Sequence, residues 1–233
     1  MLLHRYSFND GTASDSVGGS AYAGSLMAGA TVTNNQATFA TSGPYVSLPS
    51  GLFGNHTQFT VEAWVTTGYN DQNTWPRIFQ FGAAPGADAN SVAVFLCSSG
   101  YHCTYPDLAL QWVDGTGTGY QGGTGVYFNN QVNMHVVLTV SLGDYVKLYI
   151  NGQRDGTTTA RVTSLPPAST FYIGKAFGDS SNTPFSGLIG SVDEIRLWSG
   201  ALSAADVAAN YALGASKRFN SIIIWTSFIN KPV

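Results

Sequence analysis

Short apolar segments recur along the whole chain, separated by glycine, asparagine, aspartate, serine or proline. Within many of them apolar and polar residues alternate, which is the pattern of a strand with one face in a core. Residues 58–67 are the clearest case, with apolar residues on one face and Glu62 and Trp64 on the other. The pattern predicts strands at 3–8, 25–33, 36–40, 44–48, 58–67, 76–82, 91–97, 107–113, 124–128, 132–142, 145–151, 169–174, 187–199 and 221–229.

So many strands with almost no helix predict an all-β fold, a two-sheet antiparallel jelly-roll sandwich with one short C-terminal helix. Gly143-Asp144 and Asn151-Gly152 are dipeptides typical of tight turns, so residues 132–157 are expected to form an antiparallel meander.

The single predicted helix covers residues 202–213. Ser203 is its expected N-cap, Asp206 completes a capping box three residues later, and Gly214 is the expected C-terminal glycine. The apolar face that would pack on the sandwich consists of Val207, Ala208 and Tyr211.

The strand predicted at 187–199 is apolar on both faces, so both faces are expected to be covered. Asp193 and Glu194 lie side by side in it, and a carboxylate in a packed strand needs a cation, hydrogen bonds or water. Because adjacent strand residues point to opposite faces, the two cannot flank one substrate bond. Glu194 is expected to pair with a basic or polar neighbour.

The chain divides into a jelly-roll domain at 1–215 and a C-terminal extension at 216–233. Within the extension, residues 219–230 are β-branched and apolar, which predicts an extra strand. Three interpretations are open: it pairs with the chain's own sheet, it pairs with another copy, or it is a disordered tail. An uncovered strand of this kind would aggregate.

Charge and composition exclude several functions. Charged residues make up 10% of the chain, the net charge is -3, and no run of lysine or arginine occurs. No nucleic-acid partner is therefore expected. No membrane insertion is expected either, since no apolar run reaches the roughly 18 residues that a span requires. Abundant Gly, Ser, Thr, Asn and Tyr are typical of turn-rich β-proteins, and are common in secreted proteins that bind neutral sugars.

Two features predict a secreted, extracellular or cell-surface location. Cys97 and Cys103 flank five residues, a spacing that favours a small disulfide-closed loop over two free thiols. A metal pair is less favoured, because only His102 lies nearby. Asn55 begins an Asn-His-Thr glycosylation sequon.

Several motifs occur in the order found in one known family. They resemble the laminin-G-like, concanavalin A-like jelly-roll domains, and the resemblance runs from about residue 3 to residue 214. The motifs are His4-Arg-Tyr-Ser-Phe8 with Asp15-Ser-Val-Gly-Gly19, Tyr45-Val-Ser-Leu-Pro49, Phe59-Thr-Val-Glu-Ala-Trp-Val65, Arg77-Ile-Phe-Gln-Phe-Gly82, Val146-Lys-Leu-Tyr-Ile-Asn-Gly152 and Asp193-Glu-Ile-Arg-Leu-Trp198.

The resemblance implies adjacent first and last strands and an extracellular module that binds glycans or proteins. It also implies a structural Ca²⁺, held by an aspartate of the closing strand and by main-chain carbonyls. Asp193 matches that aspartate, or else forms a salt bridge with Arg196 or Arg5 and no ion binds. Asp15 is either a second carboxylate ligand or an Asx-turn acceptor. The full candidate set is Asp193, Asp10, Asp15 and Gly43.

The same fold hosts glycoside hydrolases, which require two carboxyl groups on either side of the scissile bond. The chain has only Glu62 and Glu194 as glutamates, and the hydrolase motifs Glu-x-Asp-x-x-Glu and Glu-x-Asp-x-Glu are absent. The four histidines are dispersed without metal-ligand spacing, and Gly-x-Ser-x-Gly is absent. The chain is therefore not expected to be an enzyme.

A sugar site needs aromatic faces with amide or hydroxyl groups nearby. Residues 69–75 are the richest such segment, and the glycine-rich residues 114–124 are a candidate rim. The alternative is that these aromatic residues cap the ends of the sandwich. The candidate ligand-binding residues are Tyr69, Asn70, Asp71, Asn73, Trp75, Tyr101, Tyr105 and Tyr120.

Three hypotheses follow. The first is an extracellular, non-catalytic glycan-binding or adhesion module whose partner is a glycan or an extracellular protein. The second is a structural protein that assembles into a filament or surface layer as a homo-oligomer, through residues 219–230. The third and least favoured is a glycoside hydrolase.

Overall fold

The computed structural model describes residues 1–68, 75–83, 91–97, 107–113, 119–127, 130–155, 161–165, 169–177 and 187–215. Within these residues lie fifteen strands, one α-helix, α1 (Ala204–Leu213), and a 3-10 turn at Ser20–Tyr22. The strands are β1 (Leu2–Tyr6), β2 (Ser25–Met27), β3 (Thr31–Thr33), β4 (Gln36–Phe39), β5 (Tyr45–Leu48), β6 (Gln58–Thr67), β7 (Arg77–Gly82), β8 (Ser91–Cys97), β9 (Asp107–Val113), β10 (Gly119–Tyr127), β11 (Met134–Ser141), β12 (Lys147–Ile150), β13 (Gln153–Arg154), β14 (Thr170–Ile173) and β15 (Gly190–Trp198).

The strands form two antiparallel sheets, which confirms the predicted all-β sandwich. In the described residues, sheet A has the order β13-β12-β11-β6-β15-β4-β3, with β1 also paired to β15. Sheet B has the order β10-β9-β8-β7-β14-β5-β2. The first and last of the described strands are therefore adjacent, as the resemblance implies.

The core lies between the two sheets. Sheet A contributes the inward residues of β6, including Val61 and Ala63, which are fully buried. Sheet B contributes aromatic rings: Phe81 and Phe171 stack with centroids 5.2 Å apart. Phe53, in the loop before β6, stacks on Phe59 at 4.1 Å and joins the two layers. Strands with one face in this core leave their other face available for a site.

The prediction of one strand at 25–33 is wrong. Ala28 and Gly29 have φ values of 53° and 87°, and two successive left-handed residues interrupt an extended chain. β2 consequently joins sheet B beside β5, and β3 joins sheet A beside β4.

The glycine-rich segment also differs from its prediction. Strand β10 begins at Gly119, inside the segment predicted as a flexible rim, and pairs with β9. Main-chain pairing with a neighbouring strand stabilises a segment whose residues have low intrinsic strand propensity. The hairpin predicted at Asn151-Gly152 is confirmed, with both residues at positive φ and Ile150 paired to Gln153.

Helix α1 has the predicted capping box between Ser203 and Asp206 and ends at Gly214. Its predicted apolar face is partly wrong: Val207 is buried, but Ala208 and Tyr211 are exposed and Asn210 is buried instead. The reason is that the helix covers a polar part of sheet A, described below. No helix in the described residues is long and apolar enough to cross a membrane.

Candidate functional site

The outer face of sheet B carries a polar row that crosses all seven strands. Directly opposed residues in antiparallel strands share a face. From Ser25 to Gln111 the neighbouring strand residues, such as Val46 and Phe79, lie in the core, so this part of the row points outward. Six of the seven positions hold serine, tyrosine or glutamine. In sheet order the row is Ser25, Ser47, Tyr172, Gln80, Ala93, Gln111 and Gln121.

The central part of this face is a buried hydrogen-bond network around Arg77. The guanidinium donates to Trp75 O at 2.8 Å, to Gln80 Oε1 at 3.3 Å and to Gln111 Oε1 at 3.4 Å. Gln80 in turn donates to Ser91 Oγ at 3.3 Å. These bonds hold the Arg77 guanidinium in place, and they fix the orientation of the side-chain amides of Gln80 and Gln111.

Aromatic rings flank the network on one side. The partly buried Trp75, a predicted ligand-binding residue, packs against Ala93, Phe95 and Ala109. The Arg77 guanidinium lies over the Phe95 ring at 4.4 Å, a cation–π contact. Trp75 is thus part of the outer face of sheet B.

The more accessible part of the face is a pair of half-buried tyrosines. The Tyr45 and Tyr172 rings lie 5.0 Å apart at 59°, and Lys175 Nζ lies 4.6 Å from the Tyr45 centroid. Burial, and secondarily the nearby Tyr45, raises the pKa of Tyr172 above its ordinary value. The Tyr172 hydroxyl can donate and accept hydrogen bonds beside an aromatic surface.

A second polar cluster lies on the outer face of sheet A, beneath helix α1. Glu62 accepts from Trp198 Nε1 at 3.0 Å and from Asn210 Nδ2 at 3.3 Å, and its Oε1 lies 2.9 Å from His135 Nε2. The buried Asn210 is therefore satisfied by a carboxylate, which explains why it faces the sheet.

Glu194 is the other carboxylate of this cluster. Arg5 donates to both of its oxygens, at 2.7 and 2.9 Å, and Arg196 donates to Oε1. Burial alone would raise the pKa of Glu194, but the hydrogen bond from Arg5 and the charge of Arg196 together lower it. Glu194 is thus held as a carboxylate, and it has the basic partners that were predicted for it.

A family model described as the concanavalin A-like lectin/glucanase superfamily matches residues 40–208. The chain belongs to this superfamily. No curated protein sequence matches it at a significant level.

Solved structures of the superfamily fold resemble the chain. Domain 4 of AbnA, an extracellular arabinanase from Geobacillus stearothermophilus in complex with arabinotriose, has 22% identity and a TM-score of 0.65, covering 89% of this chain and 97% of that one. Trypanosoma rangeli sialidase has 18% identity and a TM-score of 0.66, covering 90% and 32%. The receptor binding domain of botulinum neurotoxin C/D mosaic serotype has 14% identity and a TM-score of 0.62, covering 91% and 51%.

The chain therefore spans nearly all of the arabinanase domain, about a third of the sialidase and about half of the toxin domain. At these identities the likeness establishes the fold alone. It agrees with the two sheets described above.

Most predicted ligand-binding residues cannot be compared with the site. Tyr69, Asn70, Asp71, Asn73, Tyr101 and Tyr105 lie outside the described residues, as does Cys103 of the predicted disulfide. Tyr120 lies on β10 opposite Trp112, one residue away from the outward row. Asn55 is exposed in the turn before β6, and its glycosylation stays a prediction.

Sequence reasoning missed the strand residues of this face, Tyr45, Tyr172, Gln80 and Gln111. Their signal is the alternation itself, as in Tyr45-Val-Ser-Leu48, where the polar residues alternate with two core residues. The aromatic residues predicted to bind a ligand are all in segments expected to be loops, whereas Tyr45 and Tyr172 are in strands.

The predicted calcium ligands do not all come together. Asp15 Oδ1 accepts from the N–H groups of Arg5, Val17 and Gly18 at 2.8 to 3.0 Å, and Oδ2 lies 2.6 Å from His4 Nδ1. Both carboxylate oxygens are thus engaged, and Asp15 adopts the Asx-turn alternative.

Gly43 must also be removed from the set. Gly187 N donates to Ser42 O at 2.8 Å, so the turn at 41–43 lies beside residue 187. Residue 187 precedes strand β15, whereas Asp193 lies within that strand, six residues further along the chain. Ligand oxygens of one Ca²⁺ lie within about 5 Å of each other, because each is 2.3–2.6 Å from the ion.

Asp193 lies at a β-bulge, where the pairing of β15 with β6 shifts between Val192 and Glu194. At this point the other neighbour of β15 changes from β4 to β1. The exposed Asp10 lies in the turn after β1, where its carboxylate accepts from Thr12 and Ser14. No group of three or more His, Cys, Asp or Glu that could hold a metal occurs in the described residues.

Proposed function

We propose that the chain is a non-catalytic carbohydrate-binding module whose ligand contacts the outer face of sheet B. The observation that carries the proposal is the cross-strand row of serine, tyrosine and glutamine, which includes Tyr172 of the Tyr45–Tyr172 pair. Sugar rings stack on aromatic faces, and their hydroxyls bond to amides and hydroxyls. The accessible end of the row, Ser25, Ser47 and Tyr172 with Tyr45 beside them, offers hydroxyls and aromatic surface on one rigid sheet.

The ligand is proposed to be a neutral sugar. The Arg77 guanidinium is buried and bound by neutral acceptors, and the Lys175 ammonium lies over the Tyr45 ring. The accessible part of the face therefore presents mainly hydroxyl and aromatic groups, in keeping with the low charge of the whole chain.

Burial of the two glutamates supports a role without catalysis. Hydrolysis needs a pair of carboxyl groups that reach the substrate. Glu62 and Glu194 are fully buried, and both contact Arg196 beneath helix α1. Among the described strand residues of sheet B, Asp107 is the sole acidic position, so these strands supply one carboxyl group rather than a pair.

The solved structures add support of a general kind. The arabinanase domain carries arabinotriose, and the toxin fragment is a receptor binding domain. These proteins share the fold with the present chain, which is in keeping with a binding role.

The proposal includes an extracellular location, supported by the Cys97–Cys103 spacing and by exposure of Asn55. It also includes a structural calcium ion, which rests on Asp193, because both carboxylate oxygens of Asp10 and of Asp15 already accept hydrogen bonds. A melting temperature several degrees higher with Ca²⁺ than with a chelator would support the ion. An unchanged melting temperature would remove it from the proposal.

The binding site is tested by calorimetric titration with a panel of neutral trisaccharides that includes arabinotriose. Tyr172→Ala is expected to weaken binding at this face at least ten-fold, about 1.4 kcal/mol, because it removes a stacking surface. Tyr145→Ala is the matched control, since Tyr145 is a 50% exposed tyrosine elsewhere on the molecule. Equal losses in both variants, with unchanged melting temperatures, would contradict the proposed site.

A further inference from the structure

A groove of about 490 Å³ lies on the sheet A side of the molecule, between the β12–β13 turn and the last turn of helix α1. Its size falls within the range of about 300 to 1,000 Å³ that is usual for small-molecule sites. It is lined by Ile150, Asn151, Gln153, Arg154, Asp155 and Tyr211. We infer that this groove is a second saccharide-binding site, an inference that rests on the proposed function.

The Tyr211 ring forms the aromatic wall of the groove. The residue is 45% exposed, and its ring stacks on His135 with centroids 5.8 Å apart at 21°. Gly152 approaches the ring so closely that a Cβ there would lie 2.9 Å from Tyr211 Cδ1. Glycine is therefore required at residue 152 for two reasons, the close contact with Tyr211 and a φ of +79°.

The platform under Tyr211 is rigid. His135 is fully buried between Tyr211 and Trp64, whose ring centroid is 4.5 Å away, and the Arg196 guanidinium covers Trp64 at 4.3 Å. Glu62 holds the edge of this stack through His135 Nε2. An aromatic surface fixed in advance loses little conformational entropy when a ligand binds.

The polar rim of the groove offers donors and acceptors together. Asn151 is held by two bonds to the main chain of His135, through its N–H at 2.8 Å and through Oδ1 at 3.0 Å. Gln153 and Arg154 are exposed on the edge strand, and Asp155 follows them half-buried. Sugar hydroxyls both donate and accept, so they can use amide, guanidinium and carboxylate partners alike. The opposite charges of Arg154 and Asp155 argue against a purely anionic ligand.

The two sites lie on opposite outer faces of the sandwich. One chain can then hold two glycan chains at once and bridge them, which a single site cannot do. Multivalent contact of this kind increases the apparent affinity for a surface that displays many glycans.

The inference is tested by measuring the number of trisaccharides bound per chain, with the same panel. We expect two for the wild type and for Tyr145→Ala, one for Tyr172→Ala, one for Tyr211→Ala and none for the double variant. If Tyr211→Ala lowers the melting temperature strongly, the Gln153→Ala variant is used instead. It is expected to weaken saccharide binding in the groove several-fold.

The other outcomes bear on the groove site and on the sheet B site as follows. A single wild-type site that Tyr172→Ala removes and Tyr211→Ala or Gln153→Ala leaves intact would overturn the groove and keep the proposed function. A single site that only the groove variants affect would support the groove site and overturn the site on sheet B. No binding by the wild type would overturn both.

Discussion

Gly18 leaves no space for a side chain, because it lies against the pair formed by His4 and Asp15. A Cβ at Gly18 would lie 2.3 Å from Asp15 Oδ2 and 2.4 Å from His4 Nδ1. Both partners are buried and hydrogen-bonded, so neither can move away without losing contacts. The Asp-Ser-Val-Gly motif thus secures the loop after the first strand through hydrogen bonds.

Gly18→Ala is expected to destabilise the protein by about 1–3 kcal/mol, because the added methyl displaces Asp15 from His4. Gly200→Ala is the matched control, since a Cβ at Gly200 meets no atom within 4 Å. Urea unfolding measures the free energy of unfolding of the two variants. Equal stability of the two variants would contradict the role assigned to the His4–Asp15 pair.

Glu194 is a buried carboxylate shared by two guanidinium groups, and its removal is expected to be costly. Glu194→Gln should destabilise the protein by about 3–5 kcal/mol, because the buried Arg196 would lose one of its two nearby carboxylate charges, Glu62 being the other. Asp144→Asn, which breaks the more exposed Lys147–Asp144 pair, should change little. Comparable effects in both variants would argue against a special role for the buried cluster.

The lowered pKa of Glu194 also gives a pH dependence. A carboxyl whose pKa is lower in the folded state stabilises the protein above its usual pKa of 4.5, and this contribution is lost as the pH falls further. Between pH 7 and pH 3, the free energy of unfolding should fall by less in Glu194→Gln than in the wild type. An equal fall in both proteins would contradict this pH dependence.

At the scale of elements, strands with strong alternation could be predicted from sequence and others could not. The predicted bounds of β6, β8 and β9 equal the observed ones, because their apolar faces pack in the core. The break between β2 and β3 was missed because Ala28 adopts a positive φ that its residue type does not signal. β10 was only partly predicted because tertiary pairing overrides its glycine content.

Helix α1 depends on its cap more than on its apolar face, since only Val207 and Asn210 are buried. Ser203→Ala is expected to cost about 1 kcal/mol, because the Asp206 N–H loses its acceptor. Ser50→Ala, in the exposed turn after β5, is the control for a serine outside a helix cap. Urea unfolding that shows no difference between the two would contradict the capping role.

At the scale of the whole molecule, the candidate site could not be predicted because no local motif encodes it. Each strand of sheet B gives one residue to the row, from Ser25 to Gln121, and only strand order and register bring them together. Trp75 was predicted as a ligand-binding residue because it lies in a segment rich in polar and aromatic residues. Tyr172 was not predicted as one, because its neighbours in its own strand are core residues.

Self-assembly through residues 219–230 stays a prediction, because that segment lies outside the described residues. If it links copies, deletion of residues 217–233 should convert a larger particle into single chains, as measured by light scattering. A particle of unchanged size would rule out a linking strand.

The most direct test of the binding face is an NMR titration of the labelled protein with the tightest-binding trisaccharide of the panel. The largest amide shifts are expected along the row and beside it, at Ser47, Gln80, Gln111 and Tyr172, with a second group at 150–155 and Tyr211. Shifts confined to other regions, with the row on sheet B unchanged, would contradict the proposed function.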